Sequence, residues 1–175
     1  QGPDANPDPK LAAHDIRETF GRMAMNDYET AALVAGGHTF GKSHGAASES
    51  FKGPDPEASK LQDQSTGWNS GYKSGKGVDT ISSGIEGAWT QNPIRWDMGY
   101  LDCLYGHEWE LTKSPAGAHQ WTPKKNGQEI KMVPDAHKKG VLHPPMMQTT
   151  DISMKVDPSY GPITKHFHQN PKEFH

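Results

Sequence analysis

The sequence is poor in cysteine, in apolar residues and in concentrated charge of either sign. One cysteine, Cys103, excludes an intrachain disulfide framework and suits a reducing compartment. Only 32% of the 175 residues are apolar, and mean hydropathy is −0.86. No run approaches the roughly 18 apolar residues that a membrane helix needs. Net charge is −3 with no basic block, which argues against nucleic acid as a partner. The opening "QGPDANPDPK" has no signal-peptide pattern, so the default location is the cytoplasm, with a periplasmic or secreted parent left open. A start at Gln1, and an Asn170-Pro171 helix start with no helix expected after it, both suggest a piece of a longer protein.

What is present points to one mainly helical domain with long loops. There are 19 Gly and 14 Pro, yet also five Trp, five Phe and five Tyr, too many aromatics for a disordered chain. Asp8-Pro9 predicts a helix start, with Leu11, Ile16, Phe20, Met23 and Met25 on its inner face. Asn26 and Glu29 form a capping-box pattern for a second helix that stops near Gly36-Gly37. A long loop over 47–82, with one helical turn near 56–63, is of the kind that more often serves function than not. Asn92-Pro93 predicts a third helix with Ile94, Met98, Leu101 and Leu104 on one face. Residues 107–124 read as a small hairpin turning at Ser-Pro-Ala-Gly, 132–147 as loop, and Asp157-Pro158 as the start of a last helix to about 168.

Several residues have both a chemical and a bland reading. His38 follows Gly36-Gly37, where missing side chains let a helix end approach a flat ligand; the plain alternative is a C-cap histidine. Lys42 and His44 just beyond suit an anion. A zinc site from His38 and His44 lacks the usual tight ligand pairs. Trp89, between Gly and Thr neighbours, reads first as core. Asp151 sits among Met and Ile residues, where burial is costly without hydrogen bonds; it is either an N-cap or the carboxylate behind a metal-ligating histidine. His166 and His168 read as solvated surface.

Three stretches carry a resemblance: "NDYETAALVAGGHTFGKSHGA" (26–46), "SGIEGAWTQNPIRWDMGYLDCLYGHEWELTKSPAGAHQWTP" (83–123) and "TTDISMKVDPSYGPI" (149–163). Together they resemble the catalase-peroxidases, a bacterial-type branch of the haem peroxidase superfamily, in that family's order and over nearly the whole chain. The resemblance implies a mainly α haem-peroxidase fold, of which residues 1–175 supply the proximal half. It implies haem b as cofactor, hydrogen peroxide and small aromatic electron donors as substrates, and a homodimeric parent.

Residue by residue, the resemblance makes His38 the axial haem ligand, with Gly37 beside it. Asp151 becomes the carboxylate behind His38, and Trp89 the indole that also donates to it. A carboxylate in that place makes the imidazole a stronger electron donor. Lys42 and His44 match the part that meets a haem propionate, and Ser83 a position on the access channel. Met23 matches the methionine of a covalent Met-Tyr-Trp adduct, its plain alternative being a core methionine. The family's distal Arg-x-x-Trp-His stretch is missing, since none of the five Trp precedes a His. The chain therefore reads as a segment of a bifunctional catalase-peroxidase, the alternative being a truncated haem-binding module without turnover.

Overall fold

The computed structural model describes residues 5–45, 47–54, 56–63, 69–81 and 84–174. Helix α1 (Pro9–Gly21) starts where Asp8 accepts the Lys10 N–H at 2.8 Å, with Pro9 in the first turn. Its inner face is Ala13 and Ile16, with Phe20 packed on the core. Leu11 and Met23, expected inside, are 53% and 55% exposed. Leu11 lies about 200° around the helix from Ala13. Met23 falls beyond the cap at Arg22, where the chain turns through Ala24 at φ 60°.

Helix α2 (Asp27–Gly37) opens with the expected capping box: Asn26 accepts from the Glu29 N–H and Glu29 from the Asn26 N–H, both at 2.9 Å. It ends at Gly37 with His38 as its cap residue. Among its described residues, the long loop that follows carries four short 3-10 turns, at Glu49–Phe51, Pro56–Ala58, Leu61–Asp63 and Gly77–Asp79.

The third helix begins later than the sequence suggests. Helix α3 spans Gly99–Gly106, because residues 92–97 are held by other partners. Phe40 pairs with Ile94 as an antiparallel bridge, and the Gly41 N–H donates to the Pro93 carbonyl at 2.7 Å. Asp97 then accepts the Gly99 N–H. Ile94, predicted on a buried face, is 91% exposed, whereas Leu101 and Leu104 are buried as expected.

Strands β1 (Trp109–Lys113) and β2 (His119–Pro123) form the predicted hairpin, with Leu111 opposite Trp121. The region read as loop holds a second, two-residue hairpin, β3 (Val133–Pro134) and β4 (Leu142–His143). Asp135 ties it by accepting from the backbone of His137 and Lys138 and from His143 Nε2.

Helix α4 (Thr149–Val156) was signalled only by the N-cap reading of Asp151, and it starts earlier than that reading placed it, with Gln148 as the cap residue and Asp151 in the first turn. It packs against α1 and against α5 (Tyr160–Gln169), and α5 packs on α2. Asp157 accepts the N–H groups of Ser159 and Tyr160, but the helix expected from Pro158 begins at Tyr160, with Ser159 as its cap residue. A short α6 (Pro171–Phe174) follows Asn170-Pro171, where no helix was expected. His166 and His168 stay on the surface, paired with Glu173 and Asp102.

Two sets of backbone bridges position the site. Phe40, Ser43 and Gly45 pair with Ile94, Gly87 and Ile81, laying the segment after His38 antiparallel to the segment carrying Trp89. Trp121 pairs with Met147, tying the hairpin to the lead-in of α4.

Candidate functional site

Three distant segments converge on the Asp151 carboxylate, which is fully buried. His38 Nδ1 lies 2.7 Å from Asp151 Oδ1. Trp89 Nε1–H donates to Oδ2 at 2.9 Å. The Tyr100 hydroxyl donates to Oδ1 at 2.8 Å, and the Gln148 N–H to Oδ2 at 2.7 Å. A carboxylate offers about four acceptor sites, and all are used. Burial of the charge is thereby offset by charge-assisted hydrogen bonds.

This arrangement fixes the state of His38. An ionised carboxylate only accepts, so Nδ1 carries the hydrogen, and in the neutral ring Nε2 is left with its lone pair. Burial works to lower the His38 pKa, but the Asp151 charge and hydrogen bond outweigh it and the pKa is raised. The Trp89 ring stacks on the imidazole, with centroids 4.1 Å apart and 12° between planes. Tyr100 meets it edge-on at 5.6 Å. Burial, then the neighbouring Asp151 charge, hold the Tyr100 hydroxyl well above its usual pKa, so it is a donor.

The two glycines before His38 do different work. A Cβ on Gly36 would meet the Trp96 indole at 3.0 Å, so Gly36 serves internal packing. A Cβ on Gly37 would have no neighbour within 4 Å. Only Gly37 leaves the open space that the sequence suggested for both.

Lys42 and His44 lie on the extended segment beyond, and both turn to Glu86. Lys42 Nζ is 2.5 Å from Glu86 Oε1, and His44 Nδ1 is 3.2 Å from Oε2. His44 Nε2 also meets the Val78 carbonyl at 2.7 Å. They border a cavity of about 870 Å³ walled by the β1–β2 hairpin and by residues 133–138. His38 does not line it. Met23 sits apart on an exposed turn. Ser83 lies outside the described residues. Among the described residues, no group of three or more His, Cys, Asp or Glu is placed to hold a metal ion. No described helix is long and apolar enough to cross a membrane.

The family described as peroxidase matches residues 1–170. The chain belongs to the peroxidase family. A catalase-peroxidase of Koribacter versatilis is 61% identical over 175 residues, covering 99% of this chain and 23% of that protein. One of Gloeobacter violaceus is 59% identical over 174 residues, covering 99% of the chain and 24% of its own length. A Caulobacter relative of the same name shows the same 59%. The chain thus spans about a quarter of the length of the curated relatives it matches.

Peroxidase membership implies a haem cofactor, and the residues around His38 fit one. The imidazole is anchored through Nδ1, while Nε2 has no hydrogen-bond partner among the described residues. The His38 side chain is 23% exposed. Gly37 beside it leaves room for a flat group. Tyr100 and the Gln148 N–H are the site members that sequence reasoning missed. A tyrosine in an apolar helix reads as core, and a backbone donor leaves no mark in a sequence.

Proposed function

We propose that His38 is the axial ligand of a haem b iron, and that the protein containing this chain is a bifunctional catalase-peroxidase. It would convert hydrogen peroxide to dioxygen and water and oxidise small aromatic donors, acting as a homodimer on the family's pattern. The observation that carries the reading is the 2.7 Å contact between His38 Nδ1 and Asp151 Oδ1, with Trp89 on the other oxygen. Haem bound at Nε2 would supply the redox chemistry that cleaves peroxide.

The chain's own residues set the terms of that chemistry. Asp151 holds the Nδ1 proton and fixes which tautomer faces outward. Its negative charge raises the basicity of Nε2. Trp89 keeps Asp151 oriented, and its stacked indole sets an oxidisable ring against the ligand. Lys42 and His44 are proposed to meet a haem propionate, and Ser83 to line the access channel. Glu86 already offsets the Lys42 charge, so the propionate contact there is hydrogen bonding rather than attraction to a bare cation. Met23, being exposed, is open to the covalent adduct. The relatives' greater length favours a segment of an enzyme over a stand-alone binding module.

The test is turnover by the complete protein with and without His38→Ala. Dioxygen release from peroxide and one-electron oxidation of a small phenol are both expected in the wild type and lost in the variant. Wild-type rates in His38→Ala would overturn the assignment.

A further inference from the structure

We propose that Tyr100 is a positioning residue for His38: its hydroxyl shares Asp151 Oδ1 with the imidazole N–H and limits how strongly the carboxylate pulls on that proton. The two donors lie 2.8 and 2.7 Å from the same oxygen. Oδ2 is taken by Trp89 and the Gln148 N–H, so neither donor at Oδ1 has a second oxygen to move to. Tyr100 is 1% exposed on α3, and Asp151 is fully buried on α4. Water therefore does not average the competition away.

The hydroxyl contributes nothing else. Its one hydrogen bond among the described residues is to Asp151, and a phenylalanine ring would fill the same space. The charge on Oδ1 is finite. A second donor drains part of it and weakens the bond to His38. Without the hydroxyl, the His38 N–H would bond more strongly, the imidazole would gain anionic character, and Nε2 would become a stronger donor. A carboxylate behind a ligating histidine sets the electron push on the metal; Tyr100 would moderate it. This effect on a metal rests on the haem reading above, whereas the competition at Oδ1 does not.

The experiment is Tyr100→Phe in the full chain, haem-free and haem-loaded. In the haem-free protein, the His38 Hδ1 proton resonance is expected to move downfield. In the loaded protein, the ferrous iron–His38 stretching frequency is expected to rise and the ferric/ferrous potential to become more negative. A folded variant with an unmoved or upfield proton overturns the proposal, even if its melting temperature falls, because a packing role alone predicts that pattern. Failure to take up haem defeats the haem reading and leaves the proton shift to decide this one. Should the variant not fold, the wild type decides: a slowly exchanging Tyr100 hydroxyl proton with a cross-peak to His38 Hδ1 is expected, and its absence overturns the proposal.

Discussion

At the residue scale, Asp151 is a buried charge whose cost is offset only by its set of donors. Replacing one carboxylate oxygen by an amide turns an acceptor toward a donor. Asp151→Asn is therefore expected to cost about 2–3 kcal/mol of stability, the penalty of a buried unsatisfied pair, measured by urea denaturation. A loss under about 0.5 kcal/mol would mean that the donors find other partners. Met23 makes the contrast. It is exposed beyond the end of α1, so Met23→Leu is expected to change stability by less than about 0.5 kcal/mol. A larger loss in the same measurement would place Met23 in the core after all. The roles of His38 and Asp151 were only partly legible in the bare residues. They lie 113 positions apart, and neither sequence neighbourhood names the other; the family resemblance brought them together.

At the element scale, local chemistry was legible wherever a side chain served its own helix. The α2 capping box is an example, and Asn26→Ala is expected to cost about 1 kcal/mol in thermal unfolding. Elements that depend on distant partners were not legible. The Asn92-Pro93 helix start gave way to pairing with Phe40 and Gly41. Helix α4 begins where Asp151 accepts the Gln148 N–H, a capping role that doubles as the site and hides in an apolar run. The brace between α1 and α5 is similar: Arg17 binds Asp157 and lies 4.4 Å over the Tyr160 ring. The Arg17 hydrogen bond, opposed by burial and helped by the Tyr160 and Ser159 N–H groups, holds Asp157 at about 2. A depressed carboxyl pKa stabilises above the ordinary value near 4 and loses that contribution as pH falls through 2. Asp157→Asn is expected to flatten the stability profile between about pH 4 and 2. At pH 7 it would cost about 1 kcal/mol, discounted because Arg17 is partly solvated. An unchanged acid limb would show that the brace does not hold in solution.

At the scale of the whole molecule, the chain gathers His38, Trp89, Tyr100 and the Gln148 N–H around the buried Asp151 carboxylate. Mainly helical architecture, the β1–β2 hairpin and the long loop were visible in composition and turn signals. The packing of α4 between α1 and α5 was not, because it rests on contacts across the full length of the chain. The distal Arg-x-x-Trp-His stretch, which the family resemblance implies as the general acid and base acting on peroxide, is not in this sequence. The 175-residue chain alone, loaded with haem, is therefore expected to release little dioxygen beside a complete catalase-peroxidase, and a comparable rate would contradict the need for a distal half. The central claim is that His38 binds haem iron, and a hemin titration followed at the Soret band tests it most directly, run on the wild type and on His38→Ala. The account predicts a saturable, high-spin ferric spectrum in the wild type that the variant fails to give. Identical titrations of the two would contradict it.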